Sequence, residues 1–171
     1  PPPPPPSPPP PPAKPPPPPT LVQTHICPQG NVDVPYSVGN LYSTPTTDMY
    51  GNAAVAMCVK VAKKTCKTSS KCCAIDFAKV ELPINSTCKP DVREIRINNA
   101  PVAYSWGFYD TFTTLKFVSL TKYMPSPDSG SLCWVVRQGT CARPETFCYN
   151  GHCQVNYYSS DNKCCPATLV S

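Results

Sequence analysis

Residues 54–61 read AVAMCVKV. Val55, Met57, Val59 and Val61 fall on one side of an extended chain, and Ala54, Ala56, Cys58 and Lys60 on the other. That period of two marks a strand with one face against a core, whereas a helix would scatter the same four residues around its axis. Working outward, FAKVELPI at 77–84 repeats the pattern, with Ala78, Val80, Leu82 and Ile84 against Phe77, Lys79 and Glu81; Pro83 marks the strand's end or an edge position. REIRIN at 93–98 sets Ile95 and Ile97 opposite Glu94 and Arg96. TLKFVSL (114–120), LCWVVRQ (132–138) and CQVNYYS (153–159) continue it, rich in β-branched and aromatic residues and bounded by Gly, Pro, Asn and Ser. At least six strands are expected. The one stretch with a helix start signal is ARPETFCYNG (142–151), where Pro144 suits a first turn, Glu145 its positive end and Gly151 a stop. The fold class is therefore all-β, a disulfide-rich antiparallel sandwich with at most one short helix.

Ahead of this domain stands a different kind of sequence. Sixteen of the first nineteen residues are proline, interrupted by Ser7, Ala13 and Lys14. Each proline fixes φ and removes a backbone donor, so the segment joins neither helix nor ladder and reads as a polyproline II rod. Nineteen residues at about 3.1 Å each reach roughly 60 Å, well beyond the domain's expected radius of gyration of about 15 Å. The division is a rod over residues 1–20 and one globular domain over 21–171. The chain starts without Met and shows no signal peptide, which fits a processed or truncated product. No apolar run approaches the roughly 20 residues of a membrane span.

The domain carries all twelve cysteines: Cys27, Cys58, Cys66, Cys72, Cys73, Cys88, Cys133, Cys141, Cys148, Cys153, Cys164 and Cys165. That density belongs to a disulfide scaffold in an oxidising, secretory or extracellular compartment. An even count lets every thiol pair, in roughly ten thousand ways. Adjacent cysteines rarely bond each other, so the doublets Cys72–Cys73 and Cys164–Cys165 must each reach two separate partners. Most pairs are expected within the C-terminal block from Cys133 onward, or within Cys27 to Cys88. Cys148, His152 and Cys153 offer zinc ligands, but no paired C-x-x-C sets accompany them and oxidation consumes the thiols, so neither metal nor cofactor is expected. With His25 and His152 the only histidines and no nucleophile or metal-protease motif around them, the sequence does not read as an enzyme.

Three surface features remain. Lys60, Lys63, Lys64, Lys67 and Lys71 form the one basic cluster, a solvated loop that would also attract anionic polysaccharide. Nucleic acid is not an expected partner in an oxidising compartment. Asn85, Ser86 and Thr87 form an N-glycosylation acceptor just after a strand, where a surface loop is expected. Tyr104, Trp106, Phe108 and Tyr109 in AYSWGFYD would suit sugar stacking if exposed, and core packing explains them otherwise.

Taken in order, AMCVKV, CCAIDFAKVELPINSTC, TLKFVSL, SLCWVVRQGTC and ETFCYNGHCQVNYYSSDNKCCP resemble the pherophorin domain of volvocine green algae over about residues 24–166. The cysteine spacing, the Lys-Val-Glu-Leu strand and the closing Cys-Cys-Pro carry the likeness. The resemblance implies an extracellular-matrix or cell-wall glycoprotein in which globular domains flank a hydroxyproline-rich rod. It further implies hydroxylation and arabinose-rich O-glycans at Pro2, Pro3, Pro4, Pro5, Pro6, Pro8, Pro9, Pro10, Pro11, Pro12, Pro15, Pro16, Pro17 and Pro18, with O-glycosylation at Ser7. The family domain usually opens with a Cys-x-Cys pair, whereas THICPQG offers only Cys27, whose partner stays open.

These observations predict a structural matrix glycoprotein whose domains polymerise into fibres. The partners would be other copies of itself or related matrix glycoproteins, joined head to tail, rod to domain. Polyproline II rods are held in aromatic-lined grooves, and Tyr36, Tyr42 and Tyr50 are the expected rod-binding aromatics. A secreted lectin-like carbohydrate-binding module is the alternative. A wall-modifying enzyme, marked by a paired-carboxylate cleft, is the third.

Overall fold

The alternation at 54–61 lies within a longer strand, β2 (Ala53–Lys63), whose Met57, Val59 and Val61 enter the core. In the computed structural model, which describes residues 1–16, 20–24 and 33–171, β2 belongs to a sandwich of two five-stranded antiparallel sheets. The other strands are β1 (Tyr36–Thr47), β3 (Lys79–Ile84), β4 (Val92–Ile97), β5 (Ala100–Val102), β6 (Ser105–Phe108), β7 (Thr113–Phe117), β8 (Gly130–Arg137), β9 (Cys153–Tyr158) and β10 (Ala167–Val170). The first sheet runs β1-β2-β8-β4-β5 and the second β10-β9-β3-β7-β6. Ile95, Ile97, Leu132 and Trp134 from the first meet Val80, Leu82, Ile84, Leu115, Phe117 and Val155 from the second in one core cluster. Burying each such side chain stabilises by about 1.5–3 kcal/mol, which is what holds the layers together.

The opposite face of β2 is buried too. Ala54, Ala56 and Cys58 form a second cluster with Cys133 and Val135. The reason lies in Arg96 of β4, which donates to Thr46 Oγ1 (3.0 Å) and the Thr47 carbonyl (2.9 Å) at the end of β1. In a flat sheet three strand spacings, about 14 Å, would separate β4 from β1. The β1–β2 hairpin tip therefore folds back over the outer face, and the small alanines of β2 let it approach.

Several expectations need correction. Pro83 stands at the end of β3, as its penultimate residue, but not on an edge strand: β3 is the central strand of its sheet, and Pro83 pairs with Thr114 of β7. It is tolerated because the β9 ladder covers only Lys79–Glu81, so its missing N–H is not needed. Two α-helices are present rather than at most one: α1 (Leu120–Tyr123) and α2 (Pro144–Phe147). The apolar run TLKFVSL leaves the sheet after Phe117; Ser119, at φ 57°, turns the chain and Leu120 opens α1. Pro144 does open its helix, which ends before Gly151 and is followed by a 3-10 turn, Tyr149–Gly151.

The disulfides also differ from expectation. Among the described residues, Cys66–Cys73 and Cys148–Cys153 are local, but Cys58–Cys133, Cys72–Cys164 and Cys88–Cys141 join the two halves of the chain. Each sheet sets early strands directly beside late ones, β2 and β4 beside β8 and β3 beside β9, so cysteines far apart in sequence become neighbours. The doublet Cys72–Cys73 does reach two separate partners. Cys165 is disulfide-bonded as well, while Cys27 and His25 lie outside the described residues. No described helix is long and apolar enough to cross a membrane.

Candidate functional site

The residues that follow the proline run are held on the outward positions of the second sheet. Residues 1–16 are exposed and belong to no helix or strand; Pro17 and Pro18 lie outside the described residues. After Thr20 the chain lies across the sheet as a strap, Leu21–Thr24. Gln154 holds it like a neighbouring strand would: Val22 N–H donates to Gln154 Oε1 (2.8 Å) and Gln154 Nε2 donates to the Val22 carbonyl (2.9 Å). The amide is oriented by a further bond from Nε2 to Asn156 Oδ1 (2.7 Å).

Beneath the strap sits a buried carboxylate. Period-two geometry sends Val80 and Leu82 of β3 into the core and Glu81 outward, yet Glu81 is fully buried. Tyr158 donates to Glu81 Oε2 at 2.8 Å, Thr114 to Oε1 at 3.3 Å, and Lys116 Nζ lies 3.4 Å from Oε1. With its own O–H directed at Glu81, the Tyr158 hydroxyl is left to accept from Thr24 Oγ1, 2.6 Å away. Tyr109 donates to the Thr24 carbonyl at 2.5 Å, with Glu81 Oε2 at 3.4 Å. Gly107 of β6 borders the cluster, where a Cβ would collide with Thr114 Oγ1 and Lys116. Burial first, and then the Glu81 charge, push Tyr109 up to about 12 and raise Tyr158 as well. Burial lowers Lys79, against the opposing pull of Glu81. The arrangement ties residues 22–24, just after the proline run, to the outer side of the second sheet. Sequence reading missed it because outward polar positions on a strand normally meet water.

The predicted rod-binding aromatics are not brought together. Tyr36 is packed inward: its hydroxyl donates to the Ile75 carbonyl (3.0 Å) and its ring stands edge-on to Phe77 at 5.4 Å. Tyr42 lies about 20 Å further along β1, under Lys60 at 5.6 Å. Tyr50 stands in the hairpin turn, 79% exposed. Tyr36 instead lines an open cleft of about 620 Å³ between β1 and β10, with Leu21, Val34, Lys64 and Leu169.

The AYSWGFYD aromatics divide: Tyr104 and Trp106 pack against the main core cluster, as the core explanation expects, while Phe108 departs from it. Phe108 on the edge strand β6 is 70% exposed, and Lys89 Nζ lies over both Phe108 (4.9 Å) and Trp106 (5.4 Å). Tyr104 meets Trp106 edge-on at 5.8 Å. Tyr109 is stacked on Phe112 at 4.8 Å. The five cluster lysines, Lys60, Lys63, Lys64, Lys67 and Lys71, are all exposed. Asn85 is exposed and caps a 3-10 turn (Ser86–Asp91), its Oδ1 accepting from Thr87 N (3.2 Å) and Thr87 Oγ1 (2.9 Å). Cys148 and Cys153 are bonded to each other, which leaves no thiolate beside His152.

No curated protein and no solved structure gives a significant match to the chain. A model of the Pherophorin family matches residues 22–166, a span that takes in the strap, strands β1 to β9 and the five bridges described above. The strapped, bridge-stapled sandwich thus belongs to the pherophorin family, a structural family of the extracellular matrix.

Proposed function

We propose that this protein is a building unit of an extracellular matrix or cell wall. In this reading a rigid polyproline II rod, hydroxylated and O-glycosylated, projects from a globular domain that holds the rods of neighbouring copies, head to tail, to make fibres. The observation that carries it is the strap: the residues that follow the proline run are bonded to Gln154 and Tyr158 and lie above the buried Glu81. A rod meant only as a loose tether needs no such anchorage. The family's matrix setting and the five described bridges agree with secretion. The exposed lysine cluster adds long-range attraction for anionic polysaccharide. Removing residues 1–19 is expected to abolish fibres in negative-stain images and leave monomers in sedimentation, with the circular dichroism of the domain unchanged. Undiminished fibres from that truncation would reduce the rod to a spacer.

Asn85 is proposed to carry an N-glycan. The acceptor amide is exposed on a turn and its carbonyl oxygen is held by the sequon's own threonine. Mass spectrometry of the native peptide around Asn85 should show a hexosamine-containing adduct that peptide N-glycosidase releases; an unmodified peptide throughout would refute it. A second reading, a carbohydrate-binding module, draws on the exposed Phe108 ring beside Trp106.

A further inference from the structure

We infer that the glycan on Asn85 is docked, with its first N-acetylglucosamine seated in the cleft beside the acceptor. This rests on the glycosylation of Asn85 proposed above and adds what the sugar does once attached. Asn85 and Thr87 line a cleft of about 480 Å³ together with Glu145 of α2 and with Tyr149 and Asn150 of the 3-10 turn that follows it. The acceptor is thus part of the cleft wall. The elements around it are locked to one another: Asn85 N–H donates to the Phe147 carbonyl at 2.8 Å, and Ile84 pairs with Cys148. The buried Cys88–Cys141 bridge also borders the cleft and ties the sequon turn to the segment ahead of α2.

The occupant follows from chemistry and from attachment. N-acetylglucosamine brings an apolar ring face, an acetamide methyl, and hydroxyls that both donate and accept. The cleft meets these with the half-buried Tyr149 ring and the exposed Glu145 carboxylate and Asn150 amide, in a volume of the order used by small-ligand sites. Both ends of the contact are held in place. The Tyr149 ring is backed by Phe112 at 5.0 Å, and its hydroxyl donates to Thr111 Oγ1 at 3.4 Å. Asn85 Oδ1 accepts from Thr87 N and Thr87 Oγ1, which leaves Nδ2 to carry the sugar from a fixed side chain. Tethering supplies the remaining advantage. A site too weak to retain a free monosaccharide meets an attached one at an effective concentration on the order of millimolar, so even a millimolar contact is populated. A sugar from another molecule has no such help. Once seated, the residue roofs the Cys88–Cys141 bridge that joins the two halves of the chain.

Hydroxyl-radical oxidation of Tyr149, read by mass spectrometry, reports on the cleft. Three forms of the full chain would be compared: the native glycoprotein, the same protein trimmed by an endoglycosidase to a single N-acetylglucosamine, and the Asn85→Gln variant. Tyr50, which lies outside the cleft and is 79% exposed, serves as the internal reference. The expected result is oxidation of Tyr149 at least threefold slower in both glycosylated forms than in Asn85→Gln, with Tyr50 unchanged. The double variant Glu145→Ala, Asn150→Gly alters two exposed side chains, and glycine suits the positive φ of 55° at position 150. It should keep its glycan and its circular dichroism and lose most of the shielding. Undiminished shielding in that variant overturns the docking, because bulk at Asn85 would then explain it. Equal oxidation in all three forms, with the glycan shown to be present, overturns the docking and leaves the glycosylation standing. Shielding that disappears on trimming overturns the placement of the first sugar. An unmodified Asn85 in the native protein overturns both.

Discussion

Full reduction of the bridges is expected to unfold this domain at room temperature. Three described bridges close loops with sequence separations of 75, 92 and 53 residues. By the chain-entropy account each removes about 4–5 kcal/mol of conformational freedom from the unfolded state. These contributions do not simply add, but the net stability of a domain this size is only about 5–15 kcal/mol, so losing all three exceeds the margin. The order of reduction is also expected. Cys66–Cys73 is partly exposed and closes a short loop, whereas Cys58, Cys88, Cys133, Cys148, Cys153 and Cys164 are all buried. Stepwise alkylation under increasing reductant should therefore label Cys66 and Cys73 first with little loss of structure, then the remainder together with unfolding. A cooperative thermal transition surviving full reduction, or two reactive thiols in the native unreduced protein, would contradict this account.

Glu81→Ala should cost about 3–5 kcal/mol, the usual penalty for removing one partner of a buried ion pair. It leaves Lys116, Tyr158 and Thr114 facing an empty site. Glu81→Gln keeps the shape and an acceptor oxygen and should cost clearly less. Urea denaturation midpoints would separate the two, and a loss below about 1 kcal/mol for the alanine variant would mean that the carboxylate does not hold the strap. The same network sets an alkaline limit. Tyr109 and Tyr158 have raised pKa values in the folded protein, so their contribution is fully present below pH about 10, where unfolded tyrosine is still protonated. It is lost as pH rises from there through about 12 for Tyr109 and beyond for Tyr158. Over that interval the fully buried Tyr158 removes up to about 1.4 kcal/mol per pH unit, and the partly exposed Tyr109 less.

The strands that pay for burial through alternation, β2, β3, β4, β7, β8 and β9, were legible in the sequence. Those it hid are edge or short strands. YSVGNLYSTPTT in β1 carries a register shift between Gly39 and Tyr42 and a proline at 45, both tolerable on an edge and both destructive of any period. APV in β5 and ATLV in β10 are too short to show one. The strap site was hidden for a different reason. Gln154, Asn156 and Tyr158 occupy the outward positions of β9, which alternation assigns to water. The available signal was chemical: two neutral amides and a tyrosine stand there, where a solvated face usually shows lysine and glutamate. Bridge pairing was illegible because it depends on strand order, which no local pattern encodes.

One consequence concerns mechanics. Gln154 binds the strap through its side chain and pairs with Leu169 of β10 through its backbone register. Both flanks of the domain sequence therefore converge on a single strand. Tension applied between Leu21 and Val170 is carried first by β9, and the first sheet shares it only through β1, where Leu41 N–H donates to the Ser171 carbonyl (3.2 Å) and Tyr157 of β9 donates to the Tyr36 carbonyl (3.0 Å). The other four strands of that sheet then ride beside a short, stiff link, free to present their outer faces.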